Sequence, residues 1–421
     1  MTSWLGGTFA ALSHRHFRVI WTGSLLAFVA FFMSAAVQGV VAFDLSGSNE
    51  AVGFVIFAQG VAQLALGPFG GALADRVSRR LLIFICQAAI TSCFFALGVL
   101  VVTDTITIAS LAAASFIIGS AFSFLGPARQ GMMVDFVGPR HRGNAIALSQ
   151  VALNASRIAG PMFAAAFLAT DVIGAAGAFF AMGTLYLGTL ATTWMLPGTT
   201  ATSTGTGRSV LAEIWTGIRY VAHTPSIRGL VPSYILIIMC GFPYVSVLPG
   251  LVKNELHRDA SQITILLMIN AVGGLAASLA VASLADSRRA PMVYTGMCLT
   301  LGLALLASGV APGFWVLAAT MLFVGAGAGG FQTLNGALVS HFTEPAYFGR
   351  VISLTFLAFA VSSIVALPVG QLADAIGERH TIALSGGAVC FIVAAYQVGP
   401  LLARAFRGQP AEAAGGGLPG A

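Results

Sequence analysis

A polar stripe interrupts an otherwise apolar stretch between residues 144 and 169. Gln150, Asn154 and Arg157 follow one another at i, i+4 and i+7, so on a helix they share one face. A charge held at membrane depth costs about 2.5–3.5 kcal/mol on insertion scales and normally faces a cavity or a partner. Arg157 is therefore the first candidate for a small-molecule pathway, the alternative being a buried ion pair that ties helices together. Gly160–Pro161 come next along the same stretch, and Pro161 removes a backbone donor, which predicts a kink there. A second arginine, Arg129, follows Pro127 in the preceding apolar segment. It either lines a cavity or pairs with Asp135 or Asp75. Groups that could take up and release a proton are few: Asp44 closes the first apolar segment, while Asp135 and His341 end the fourth and tenth. Gln332 and Asn335 add amides inside the tenth.

Catalytic and metal chemistry find little support. No HExxH, GxSxG or phosphate-binding P-loop pattern occurs. GAGAGG (325–330) fits a dinucleotide fingerprint letter by letter, but it lies inside an apolar run with no preceding strand, so close helix packing explains it better. The five cysteines all fall in apolar runs and form no CxxC pair, so no metal, cofactor or disulfide framework is expected. A net charge of +6 raises the question of nucleic acid, but nineteen of the twenty basic residues are arginines spread over alternate loops, not over one soluble face.

The elements that must position these residues are legible from composition. The chain has 421 residues, 57% apolar and 8% charged, against roughly a quarter charged in a soluble domain. Lipid must be the solvent for most of it. Continuous apolar runs such as 81–102 meet the ~20 residues a membrane-crossing helix needs and lack the alternation of a barrel strand. Twelve such runs are predicted, near 17–43, 51–74, 81–102, 107–133, 144–169, 173–196, 229–252, 261–285, 290–310, 314–338, 350–373 and 380–402. Arginines crowd one set of loops and both ends of the chain, whereas the opposite loops hold only Lys253, Arg258 and Arg379. By the positive-inside rule both termini are expected in the cytoplasm, in an inner-membrane protein.

The chain also repeats. GALADRVSRR (71–80) returns as ASLADSRRA (282–290), and DFVGPRHRGNAIAL (135–148) returns as HFTEPAYFGRVISL (341–354). Two six-helix halves are predicted, at 1–197 and 229–407, joined by a 198–228 linker and followed by a disordered 408–421 tail. The linker opens with a Gly/Thr run. Its second part places Leu211, Ile214, Trp215, Ile218 and Val221 on one helical face, which reads as an amphipathic helix at the membrane surface.

The first repeat carries a family resemblance. Gly71, Leu73, Ala74, Asp75, Arg76, Arg79 and Arg80 match the cytoplasmic loop signature of the major facilitator superfamily, with Ser78 in place of its second glycine. Asp286, Arg288 and Arg289 repeat it in the second half. The resemblance implies a twelve-helix transporter in which this loop helps lock the cytoplasmic gate. Other stretches, among them FLGPARQGMMVDFV (124–137) and NASRIAGPM (154–162), resemble the branch that holds the enterobactin exporter and macrolide efflux proteins. That resemblance implies efflux, as does the Gly160–Pro161 pair of the antiporter signature. One departure is Ser115, which stands where many drug/proton antiporters carry an arginine.

The expectation is therefore a non-enzymatic, monomeric exporter of small, largely apolar organic molecules. It would work by alternating access in the bilayer, coupled to protons and without nucleic-acid partners. The alternative is an uptake symporter of the same fold, for which more charged and hydrogen-bonding residues would be expected inside the spans.

Overall fold

The structure is a computed structural model that describes residues 10–170, 173–197, 210–284, 287 and 289–398. Asp286, Arg288, the 198–209 part of the linker and the 408–421 tail lie outside the described residues. Gly71, Asp75, Arg76, Asp135 and Gln150 have a place on their helices, but their side chains lie outside the described part.

All regular structure among the described residues is helical. In chain order the helices are α1 (Arg15–Ser46), α2 (Asn49–Arg76), α3 (Arg79–Val102), α4 (Ile108–Leu168), α5 (Gly174–Trp194) and α6 (Val210–His223). They continue with α7 (Leu230–Gly241), α8 (Tyr244–Gly250), α9 (Ala260–Ala282), α10 (Ala290–Gly309), α11 (Phe314–Phe342), α12 (Pro345–Ile376) and α13 (Glu378–Val393). They supply twelve stretches long and apolar enough to cross a membrane, two of them within α4 and one running from α7 through α8 to Glu255.

Local chemistry explains the boundaries. Gly47 ends α1 at φ +65°, a left-handed conformation that glycine adopts without penalty, and its N–H returns to Phe43 O. Ser78 caps α3 by accepting from Leu81 N at 3.2 Å. Thr107 and Ser110 cap α4 reciprocally.

Three spans differ in detail from the sequence reading. The fourth and fifth were expected as separate segments, yet helical structure runs unbroken through both, including Pro161. The chain nevertheless doubles back, because Ser149 Oγ lies 3.1 Å from Met133 Sδ. Sixteen residues of straight helix would separate them by about 24 Å. The seventh span, expected as one helix, is broken at Phe242–Pro243. Pro243 has no N–H to give Met239 O, so one rung of the ladder is missing at the break.

Two hydrophobic cores match the two halves. One is built from Ala11 to Leu196; the other spans Tyr234 to Val393 and takes in Val40 from α1. The GAGAGG run of α11 does pack closely. A methyl on Gly325 would collide with the Asn270 carbonyl of α9, and one on Gly327 would meet Leu301 N of α10 at 2.5 Å. Helix α6 forms as expected, but it buries Val221 against a small cluster with Val351 and Leu354 of α12. Trp215 and Ile218 stay exposed. Its ring partner is Tyr347, stacked on Tyr220 at 4.1 Å, and Tyr220 Oη accepts from Glu344 N at 3.2 Å.

Candidate functional site

The halves meet along α2 with α12 and α4 with α9. Small residues allow the first contact. A Cβ on Gly53 would lie 2.5 Å from Ala366 O, and one on Gly60 would lie 2.6 Å from Ser363 Cβ and 2.9 Å from Ala360 O. Helix backbones approach this closely only where side chains are absent.

This interface ends, on the arginine-poor side of the molecule, in a set of polar contacts between the halves. Asp374 of α12 receives the first N–H groups of α2: Asn49 N donates to Oδ1 at 2.9 Å and Glu50 N to Oδ2 at 2.8 Å. Ser48 Oγ adds a bond at 2.7 Å and Asn49 Nδ2 one at 2.9 Å. The start of a helix carries unsatisfied donors and partial positive charge. Here a carboxylate from the other half satisfies them. Glu378 Oε1 accepts from Asn49 Nδ2 at 3.1 Å and from Asn254 Nδ2 at 2.8 Å. Gln371 donates to Glu50 Oε1 at 2.9 Å. Asp44, expected as a titrating group, pairs with Lys253, the chain's only lysine. A polar cleft of about 450 Å³ opens beside them, between Ser48, Asn254, Asp374 and Glu378.

Deeper in the interface lies Arg157, half-buried. Its guanidinium is 5.8 Å from the centre of the Phe32 ring and within electrostatic range of Tyr234 on α7 of the opposite half. Asn154 is one turn earlier on α4 and half-buried. Gly160 packs its α carbon onto α1, where a Cβ would lie 2.6 Å from Phe32 Cβ. The glycine thereby sets the distance between the arginine and the ring that carries it. Aromatic groups stand on both sides. Phe31 contacts Phe32 and Phe122, at 5.4 and 4.3 Å between centroids. Phe331 contacts Tyr234 and Phe242, at 5.3 and 6.3 Å.

Other expected residues are placed elsewhere. Arg129 is only 7% exposed and belongs to the interior of the first half. It lies 6.0 Å from the Phe28 ring centre. Its Nη2 donates at 3.0 Å to Gln87 when that amide is oriented so that its nitrogen serves Thr193. Any other orientation would oppose two donors. Arg80 bonds Trp194 O at 2.7 Å and lies over that ring, fastening α3 to α5 within one half. Arg79 begins α3, and Arg289 stands exposed at the start of α10. Gln332 donates to Ala328 O of its own helix at 3.0 Å. Asn335 is buried with Oδ1 unpartnered. His341 is exposed, edge-on to Phe342. Ser115 donates to Gln38 Oε1 at 2.6 Å, so the position of the missing arginine is filled by a neutral pair. The structure thus brings Arg157 and Gly160 together against Phe32 of α1, with Tyr234 of the opposite half in electrostatic range of Arg157, and puts Asp44 at the arginine-poor end. It separates them from Arg129.

With this geometry in view, sequence comparison decides the family. The Major Facilitator Superfamily family model matches residues 20–365 and 230–415.

The chain belongs to the major facilitator superfamily.

Solved transporters of this superfamily share its fold. The nucleoside transporter NupG is 13% identical with a TM-score of 0.73, covering 91% of this chain and 99% of its own. A bacterial homologue of the human lysosomal transporter Spinster, inward-facing and unoccupied, is 14% identical with a TM-score of 0.73 over 94% and 99%. The human organic anion transporter MFSD10 is 17% identical with a TM-score of 0.64 over 90% and 98%. At such identities the likeness concerns the fold. No curated protein is significantly similar to the chain in sequence.

The polar contacts of this facilitator's arginine-poor end escaped the sequence reading, although a signal for them exists. Gly370–Gln371–Leu372–Ala373–Asp374 repeats the G-x-L-A-D of Gly71–Asp75 at the opposite end of the molecule.

Proposed function

We propose that this chain is a secondary active transporter that exports small, largely apolar organic molecules across the inner membrane by alternating access, with both termini in the cytoplasm. The observation that carries the reading is the capping of α2 by Asp374. One half's helix start is held by the other half's carboxylate at the arginine-poor end of the molecule, so opening that end requires a defined and breakable set of contacts. On the arginine topology this end faces outward. The break in α7 at Phe242–Pro243 supports a substrate site at mid-membrane, since many transporters built from repeats form theirs at discontinuous helices. In the family, Asp75 would take the matching role at the cytoplasmic end.

Protons supply the drive in this reading. Protonating Asp374 would turn an acceptor-only carboxylate into a group with fewer acceptor sites for its four donors, and so loosen the outer end. Asn49 also donates to Glu378 and Gln371 to Glu50, so loosening Asp374 would release further contacts at this end. The experiment is transport of a fluorescent apolar dye into inside-out vesicles, with and without an imposed pH gradient. Gradient-dependent accumulation is expected. Equal movement without the gradient refutes proton coupling, and movement only in right-side-out vesicles refutes export.

A further inference from the structure

The sign of the charge inside the membrane narrows the substrate class. All fourteen acidic residues lie outside the twelve spans or within three residues of a span end. Several of them, including Asp374, Glu378 and Glu50, are held in the outer polar contacts. The span interiors therefore hold no carboxylate, but they do hold a cation at the boundary between the halves. Arg157 falls well inside the Val151–Leu168 span. Among the described residues its guanidinium has a ring beneath it and a phenol within electrostatic range, and makes no hydrogen bond or ion pair. Arg129, the other cation, ends its span, and its Gln87 contact faces into the first half.

An arginine presents five donors in a planar fork that fits a carboxylate, sulfonate or phosphate. Left without an acceptor in a low-dielectric site, those donors favour a ligand that brings its own negative charge. A cationic molecule would meet the opposite situation: no counter-charge, and repulsion from Arg157. Phe31 and Phe32 of α1 and Phe242 at the end of α7, all partly exposed, offer flat apolar surfaces for the rest of the ligand.

We infer that the boundary between the halves selects organic anions, with the acidic group on Arg157 and an aromatic or broad apolar body against Phe31, Phe32 and Phe242. The inference rests on the transporter reading for its physiological meaning, but anion binding can be tested apart from transport.

The test pairs ligands that share a ring system and differ in charge: 1-naphthoate with 1-naphthylmethylammonium, and fluorescein with rhodamine 6G. Equilibrium dialysis against the detergent-solubilised full-length protein measures binding, and flux from reconstituted liposomes measures transport. The expected result is binding of at least one anion ten-fold or more tighter than its cationic partner. Arg157→Gln should weaken it by about 10–100-fold, as expected for loss of a charge-assisted pair. Arg157→Lys should retain part of the preference, which separates loss of charge from loss of fold. Equal binding of both charges, tighter binding of the cations, binding of none of the four, or unchanged anion affinity in Arg157→Gln overturns the inference. Anion binding without flux would leave the site intact and count against the transporter reading alone.

Discussion

Asp374→Asn is the most informative single change, because the geometry says what it removes. The two carboxylate oxygens share four donors: Asn49 N and Nδ2 on Oδ1, Ser48 Oγ and Glu50 N on Oδ2. An asparagine keeps one oxygen and turns an amide nitrogen towards the other pair of donors, so two charge-assisted bonds are lost. Each is worth about 1.5–3 kcal/mol when well shielded. Asp374 is exposed, so roughly half that is retained. The lost charge at the start of α2 removes a further ~0.3–1 kcal/mol. A total of about 2–4 kcal/mol corresponds to a roughly 30–700-fold shift towards the state open at this end. The assay is labelling by a membrane-impermeant maleimide at Ala366→Cys, in a protein whose Cys86, Cys93, Cys240, Cys298 and Cys390 have been replaced by serine. Ala366 is 2% exposed and packs on α2 near Gly53. The labelling rate should rise by more than ten-fold in Asp374→Asn and by more still in Asp374→Ala. Rates within two-fold of the parent in both variants would refute the idea that this carboxylate holds the end closed.

Three further outcomes are expected. Gly60→Val drives a side chain into Ser363 and the Ala360 carbonyl and should raise labelling at the same cysteine while slowing transport. A normal flux would show that α2 and α12 need not approach this closely. Tyr220→Ala removes the stack on Tyr347 and the bond from Glu344 N, a loss of about 1–2 kcal/mol. Amide exchange across Val210–His223 should then quicken by roughly 5–30-fold, and unchanged protection would mean that α6 is held by something else. Asp75→Asn should slow transport without preventing membrane insertion; an unaltered rate removes Asp75 from the cytoplasmic gate.

Much of this architecture can be read from residues alone, and the exceptions have physical causes. Hydropathy and the arginine pattern are one-dimensional properties, so the number of spans follows from them. The break at Pro243 lies inside an equally apolar run, where only the backbone ladder distinguishes one helix from two. Arg129 and Arg157 look alike in sequence. One meets Gln87, on α3 of its own half, and the other meets the face of a different half. Such placement depends on partners far away in the chain. The outer contacts were missed for another reason. Parallel comparison of the halves pairs Asp75 with Asp286, whereas Asp374 repeats the same G-x-L-A-D at the opposite end of the molecule. That relation appears only when inverted repeats within the halves are considered.

The central claim is that the two halves rock so that one end opens as the other closes. Pulsed electron paramagnetic resonance on two labelled pairs tests it directly. One pair joins Thr105 and Arg258 at the arginine-poor end; the other joins Met195 and Met292, both exposed, at the arginine-rich end. With a transported ligand and an imposed pH gradient, the first distance should lengthen while the second shortens. Distances that stay fixed during turnover, or that change in the same sense at both ends, would contradict the account.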